Sequence, residues 1–344
     1  ARRITVKVYG VVLIGCGHIG EEHIQDIYYR DNIKIVATVD TDEKRAKLFS
    51  RKYGAQSYGT DYHAYINLDE VDIVIIATYA NTHLSILKDC LKANKHILCE
   101  KPIARTLDEG KEFCDLVNKS DSKVLVAHVL RHNKTYLKVK ELIDSNIIGK
   151  LKMIRMVQNH NAKDWDRYKK LLEDCTPIID CGVHYIDITQ WFNNSKVLEV
   201  SGHGLRLDED APGAYNYGFI TMKLENGCYA SYEAGWSKNL ASSNIKEFIG
   251  EKGRITLVLQ ECRESHKEEG DLIQIYLSEP EEYIYVNVHS KYKNMYGQIE
   301  ALVSMIEDDR PAFPTMDEVY DAFKIAHAAD YAIRSNKTVD VMIF

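Results

Sequence analysis

From about residue 8 to residue 128, short β-branched runs alternate with charged amphipathic stretches. The runs are VVLIG at 11–15, IKIVATV at 33–39, VDIVIIAT at 71–78, HILC at 96–99 and KVLVA at 123–127. Apolar runs of this length separated by helical-period segments mark βαβ units, which build a parallel sheet with helices on both faces. Beyond residue 128 the period changes. A helical stretch, Tyr136 to Ser145, leads through Gly149 into strand-like Leu151 to Asn159, and one more helix follows. Short strands are then predicted at Val200–Leu207, Tyr215–Leu224, Cys228–Trp236, Ile245–Ile249, Ile255–Leu259, Leu272–Leu277 and Tyr283–Val288. Turn signals such as Glu225-Asn226-Gly227 and Glu251-Lys252-Gly253 join successive strands into a largely antiparallel sheet. Two helices, about Met295–Glu307 and Met316–Ser335, close the chain and are expected to pack back toward the first domain. The pattern therefore predicts an α/β domain over residues 1–128 and an α+β domain with a large, mostly antiparallel open sheet over 129–344.

The chemistry sits where the predicted strands end. Gly15-Cys16-Gly17-His18-Ile19-Gly20 follows the first run directly. Gly15 suits the tight turn, Gly17 lets backbone approach a pyrophosphate, and Gly20 lets helix and strand pack closely, so Gly15, Gly17, His18, Ile19 and Gly20 are the expected phosphate contacts. The second run ends in Asp40, twenty residues past Gly20. A carboxylate there accepts from ribose hydroxyls and repels a 2′-phosphate, which favours NAD over NADP even with Lys44 and Arg45 a turn later. Gly15, Asp40, Thr78 and Lys101 each close a predicted strand, and ligands of parallel sheets bind beyond those ends. Lys101 stands between Glu100 and Pro102, and the proline restricts its backbone geometry. An ammonium at that edge can stabilise an alkoxide formed during hydride transfer. Asp180 and His184 lie one turn apart in a segment that Thr176 caps and Pro177 opens, the spacing at which a carboxylate orients an imidazole general base.

These motifs, with VVLIGCGHIGEEH at 11–23, ATYANTH at 77–83, CEKPIA at 99–104, IIDCGVHYIDITQWF at 178–192 and GEKGRITL at 250–257, resemble the GFO/IDH/MocA oxidoreductases over nearly the whole chain. The resemblance implies an N-terminal Rossmann domain and a catalytic trio, matched here by Lys101, Asp180 and His184. It adds Thr78, Asn81, His83, Glu100 and Lys101 to the cofactor contacts, although Tyr79-Ala80 replaces the usual proline-bearing turn. Asp187 matches a structural polar position. Arg131, Gln158, Asn159, His160, Trp165 and Trp236 are the candidates for a polar, partly aromatic substrate wall, with Lys134 standing where relatives often carry proline. The expected activity is interconversion of a secondary alcohol and a ketone on a sugar, cyclitol or derivative. The alternatives are an NAD-dependent glycoside hydrolase and a non-catalytic NAD sensor. Relatives of this kind assemble as homodimers or homotetramers through the open face of the second sheet.

Bulk properties narrow the rest. A chain of 344 residues holds two cores of ordinary size. A net charge of −7 leaves no basic footprint for nucleic acid or an anionic membrane. No apolar stretch approaches the roughly 18 to 20 residues that span a bilayer, and Ala1-Arg2-Arg3-Ile4 is followed by strand-like sequence in place of a signal-peptide core. Cys16, Cys90, Cys99, Cys114, Cys175, Cys181, Cys228 and Cys262 are scattered without a C-x-x-C pair. Buried thiols in a reducing, cytoplasmic setting are expected, with no metal site at Cys175, Cys181 and His184.

Overall fold

The computed structural model describes residues 7–259, 270–291 and 293–344; Cys262 lies outside them. The chain divides into two compact units, one of Ala1–Val129 with Met295–Tyr320 and one of Leu130–Asn294 with Asp321–Phe344.

The first unit opens with β1 (Tyr9–Ile14), α1 (His18–Ile27), β2 (Ile33–Val39), α2 (Glu43–Tyr53), β3 (Ser57–Gly59) and α3 (His63–Ile66). It continues with β4 (Ile73–Ile76), α4 (Ala80–Lys92), β5 (His96–Cys99), α5 (Leu107–Asn118) and β6 (Val124–Val126). Every residue of β1 and β4 is buried, as a parallel sheet covered on both faces requires. Local chemistry sets the helix ends. Asp42 accepts from Lys44 N to start α2, Gly54 ends it at φ 68°, and Thr106 with Glu109 closes a capping box on α5. Each such N-cap contributes about 1 kcal/mol.

The sheet order is β3-β2-β1-β4-β5-β6, with all pairs parallel. The chain switches direction across the sheet between β1 and β4, the position where such folds bind ligands. The register matters more than the order. Ile14 pairs with both Val39 and Ile76, and Ile76 with Cys99. Gly15, Asp40, Ala77 and Glu100 therefore leave the sheet at one level. β3, three half-buried residues, is too short and polar to show in the hydrophobic pattern.

The second unit contains α6 (Lys134–Asp144), β7 (Leu151–Asn161), α7 (Trp165–Asp174), α8 (Pro177–Asp180), α9 (Gly182–Asn193) and β8 (Val197–Leu205). β9 (Tyr217–Leu224), β10 (Tyr229–Ser237), β11 (Ser243–Gly250), β12 (Gly253–Val258), β13 (Asp271–Ser278) and β14 (Glu281–Val288) follow. The chain ends through α10 (Met295–Asp308), α11 (Met316–Ser335) and β15 (Val339–Asp340). α10 belongs to the first unit, where Ile299, Leu302 and Met305 enter the core with Tyr9, Val11 and Leu98. Tyr9 Oη also donates to Glu307 Oε1 at 2.8 Å.

The second sheet runs β14-β13-β12-β11-β7-β10-β9-β8-β15. It is antiparallel except where β7 and β10 lie side by side in parallel. Ala230, Tyr232, Ala234 and Trp236 of β10 face the helices, shown by the stack of Tyr232 on Tyr185 of α9 at 4.9 Å. The opposite face carries the exposed Met153, Phe219, Tyr229 and Ile245. β15, of two residues, and α7, whose sequence WDRYKKLLED is strongly polar, were not legible from the pattern of apolar residues.

α11 anchors the start of α8. Asp330 accepts from Thr176 Oγ1 at 3.1 Å and Tyr215 Oη at 2.6 Å, and Arg334 Nε donates to its other oxygen at 2.6 Å. Near it His327 packs edge-on against Phe323 with its Nε2 sealed and unbonded, and burial pushes its pKa down to about 4. The depressed value means that the unfolded chain takes the proton first. Stability from this residue is complete above about pH 6.5 and is lost as pH falls from there toward 4. Thermal melts should show a loss on the order of 3 kcal/mol across that window, and His327→Phe should flatten that part of the curve relative to the unmodified chain.

Candidate active site

The glycine turn is built by contacts that admit no side chain. Gly15 sits at φ +101° with Ala77 O at 2.5 Å from the place of a Cβ, and a Cβ on Gly20 would lie 2.0 Å from Gly15 O. Gly17 differs: nothing lies within 4 Å of its Cβ direction. It therefore opens space at the N-terminus of α1, where no side chain caps the first N–H groups. Open room at an uncapped helix N-terminus, walled by backbone, fits a pyrophosphate. The residues thus suit a dinucleotide, and the turn of Gly15, Gly17, His18, Ile19 and Gly20 is the candidate cradle for it.

Asp40 stands beside that cradle. Its Oδ2 accepts from Cys16 N at 2.8 Å and its Oδ1 from Asp42 N at 2.8 Å, so both oxygens are oriented while lone pairs stay available for ribose hydroxyls. Arg45, one of the two cations a turn after Asp40 and the one of guanidinium type suited to a 2′-phosphate, pairs with Asp42 at 3.4 Å. The Cys16 thiol bonds Val39 O, and burial, reinforced by Asp40, pushes its pKa up to about 12. It is a packed thiol and no nucleophile.

Across the switch point, buried His83 ties two loops together. Its Nδ1 lies 2.9 Å from Pro102 O and its Nε2 3.1 Å from Thr78 O. Thr82 Oγ1 donates to Thr78 Oγ1 at 2.7 Å, whereas Asn81 is exposed at the start of α4. The Lys101–Pro102 bond is cis. Glu100 is occupied: its Oε2 accepts from Lys101 N at 3.2 Å and its Oε1 meets His23 Nε2 at 2.7 Å. His23 closes the VVLIGCGHIGEEH segment of the family resemblance but was given no role of its own, because a histidine on an amphipathic helix shows no function until its partner is known.

In the second unit Thr176 caps α8 by accepting from Ile179 N, with Pro177 in the first turn, as expected. The helix expected to carry Asp180 and His184 without interruption divides at Cys181. His184 N reaches Cys181 O at 3.2 Å, an i→i+3 bond that tightens the turn. Gly182 sits at the division against Tyr232, whose ring would be 3.3 Å from a Cβ. The close seat on the sheet, absent from helical periodicity, sets the break.

The expected substrate wall separates into different places. Arg131 is fully buried, forks onto Asp187 with two bonds of 2.8 Å and lies over the Trp191 ring. Breaking such a pair costs about 3–5 kcal/mol, so its guanidinium is committed to the fold and Asp187 is the structural contact expected. Asn159 pairs in register with Gly235 and donates to Glu233 Oε1 at 2.6 Å, which puts it on the sheet face opposite α8 and α9. The one-residue alternation of a strand decides this. Trp165 donates to Asp210 at 2.7 Å on the surface of α7. Trp236 and His160 do share the helix-covered face with Tyr232, and both pack on Tyr168. Gln158 is on that face too, opposite Asn244, with fully buried Lys246 two residues on. Lys246 donates to Val157 O at 3.0 Å and Ile245 O at 3.1 Å and lies over Tyr185. Neither Asn244 nor Lys246 stood out in the sequence, since each reads as an ordinary strand polar residue.

Residues 9–128 match the oxidoreductase family with an NAD-binding Rossmann fold, and residues 136–256 match the GFO/IDH/MocA C-terminal domain. The chain belongs to the GFO/IDH/MocA oxidoreductases. It is an NAD-binding enzyme of that family. Inositol 2-dehydrogenase 2 of Saccharopolyspora erythraea is 29% identical over 252 residues, which cover 71% of this chain and 72% of that one. Myo-inositol 2-dehydrogenase of Thermotoga maritima is 23% identical over 339 residues, 95% of this chain and 97% of that one. The crystal structure of scyllo-inositol dehydrogenase from Lactobacillus casei with bound NAD(H) and scyllo-inositol shares the fold. Its TM-score is 0.78 at 21% identity, over 98% of this chain and all of that one.

The cradle is tested by a pair of substitutions. Gly17→Val, with open space around it, should leave the melting temperature unchanged while weakening NAD binding at least about tenfold through lost backbone approach. Gly20→Val, aimed at a backbone oxygen, should destabilise the protein itself. Equal NAD affinity in the Gly17 variant and the unmodified chain would show that the pyrophosphate lies elsewhere.

Proposed function

We propose that this enzyme interconverts a secondary alcohol and a ketone on a cyclitol or closely related polyhydroxylated ring, with NAD as hydride carrier. The observation that carries the reading is the common level at which Gly15, Asp40 and Glu100-Lys101 leave the first sheet. That common level supports a lysine acting beside a dinucleotide, and the names of the curated relatives support the substrate class.

Bound NAD would supply the hydride acceptor. Lys101 holds the reacting oxygen and stabilises the negative charge that develops on it. His184 takes the hydroxyl proton, with Asp180 one turn earlier as its orienting carboxylate. Asp40 selects the unphosphorylated ribose. A polar, aromatic wall of His160, Trp236 and Gln158 suits a ring bearing several hydroxyls. Thr78 and His83 hold the loop between β4 and α4, where they would contact the bound dinucleotide.

The enzyme works in the cytoplasm as a homodimer or homotetramer joined through the open face of its second sheet. Support for assembly is the row of exposed Met153, Phe219, Tyr229 and Ile245 on that face. Among the described residues no helix is long and apolar enough to cross a membrane, and the described cysteines form no disulfide.

A panel of cyclitols, aldoses and sugar nucleotides, followed by absorbance of reduced nicotinamide, tests the reaction. Myo- or scyllo-inositol should be oxidised with NAD; release of sugar from a glycoside without net reduction would favour hydrolysis instead. On the active substrate, Lys101→Met and His184→Ala should each lower turnover roughly a hundredfold with NAD affinity nearly unchanged, and Asp180→Asn less so. Unchanged turnover in both would refute the assigned roles. Calorimetry should give NAD the tighter binding over NADP, by at least about 1 kcal/mol from charge repulsion at an effective dielectric near 20. Asp40→Ser with a basic residue at 41 should narrow that gap.

A further inference from the structure

We infer that His23 is a positioning residue for Lys101, acting through Glu100; the inference rests on the role proposed for Lys101. His23 Nε2 and Glu100 Oε1 are 2.7 Å apart, with only 1% and 10% of the two side chains exposed. The other carboxylate oxygen of Glu100 accepts the backbone N–H of Lys101 at 3.2 Å. His23 lies three residues beyond Gly20, where α1 is pressed on the Gly15 carbonyl. A continuous path thus runs from the cofactor cradle through one helical turn, an imidazole and a carboxylate to the reacting lysine.

The bonding has a direction. A carboxylate oxygen only accepts, so Nε2 donates to Glu100 Oε1, and the imidazole ring is sealed from solvent around that bond. An apolar pair of equal size would hold α1 against the end of β5 without desolvating a carboxylate. The polar pair additionally fixes which way Glu100 points, and with it the N–H of Lys101. His83, gripping Pro102 O at 2.9 Å, holds the far side of the same turn, so Lys101 stands between two buried histidines on separate helices. A shift of the lysine would cost rate while sparing cofactor affinity, because binding energy resides in the glycine turn and Asp40.

The test compares His23→Phe, His23→Gln and Glu100→Gln in the full chain. Glutamine at 23 keeps a donor near the Nε2 position; glutamine at 100 cannot accept from both His23 and Lys101. Three quantities are measured: trace acetylation of Lys101 by acetic anhydride in cofactor-free protein, read by peptide mass spectrometry against the other lysines; NAD affinity by calorimetry; and turnover on inositol. His23→Phe should change the relative acetylation of Lys101 about threefold or more and lower turnover about tenfold, with NAD affinity held within about threefold. His23→Gln should recover most of both losses. If His23→Phe does not fold, Glu100→Gln should show the same change in acetylation. Acetylation and turnover unchanged in folded His23→Phe, or in Glu100→Gln, would overturn the inference. Equal losses in the Phe and Gln variants together with lost NAD binding would do so too, by revealing a helix-packing role. Acetylation and NAD titration require no substrate. If no alcohol is oxidised, the proposed function fails while the positioning role still receives its own answer.

Discussion

At Gly20 the helix α1 passes so close to the end of β1 that a Cβ there would lie 2.0 Å from the carbonyl oxygen of Gly15. No residue but glycine permits that approach, and the geometry of the first unit follows from it. The approach brings the first turn of α1, which no side chain caps, to the level where the strands stop. It places the Cys16 N–H under the Asp40 carboxylate at 2.8 Å. It also sets His23 against Glu100, so the cofactor turn and the lysine loop share one rigid support. A displacement of α1 by even a fraction of an ångström would be felt by all three, since packed interiors transmit strain and do not absorb it.

The second unit solves a different problem, holding short helical pieces on a broad sheet. α8 has four residues and would not persist alone. It is held by the bonds of Thr176 and Tyr215 to Asp330, and the glycine at 182 lets α9 settle onto the Tyr232 ring. The forked pair of Arg131 with Asp187 joins the 3-10 turn at Val129–His132 to α9 in the same way. Buried polar contacts of this kind add little net stability compared with apolar packing, but they are costly to break singly, which makes the arrangement specific. The side chains of Asp180 and His184 take their places from this scaffold.

The alternation of apolar runs with amphipathic segments determined the parallel sheet, its glycine turn and the antiparallel sheet that follows, because side-chain period is a local property of helices and strands. The motif residues at the strand ends were legible for the same reason. Asn159 shows where that reading ends: residue type put it on a substrate wall, but the pairing of Asn159 with Gly235 turned it to the other face. Arg131 looked available and proved to be committed to Asp187, fifty-six residues away in the chain. His23 stood in a family motif without a role of its own, and Asn244 and Lys246 carried no local mark at all. Which strand lies beside which, which face a side chain takes, and which buried group meets an ionic partner depend on contacts between distant segments. Periodicity and spacing record only how a residue stands to its near neighbours, so the tertiary structure alone decided these.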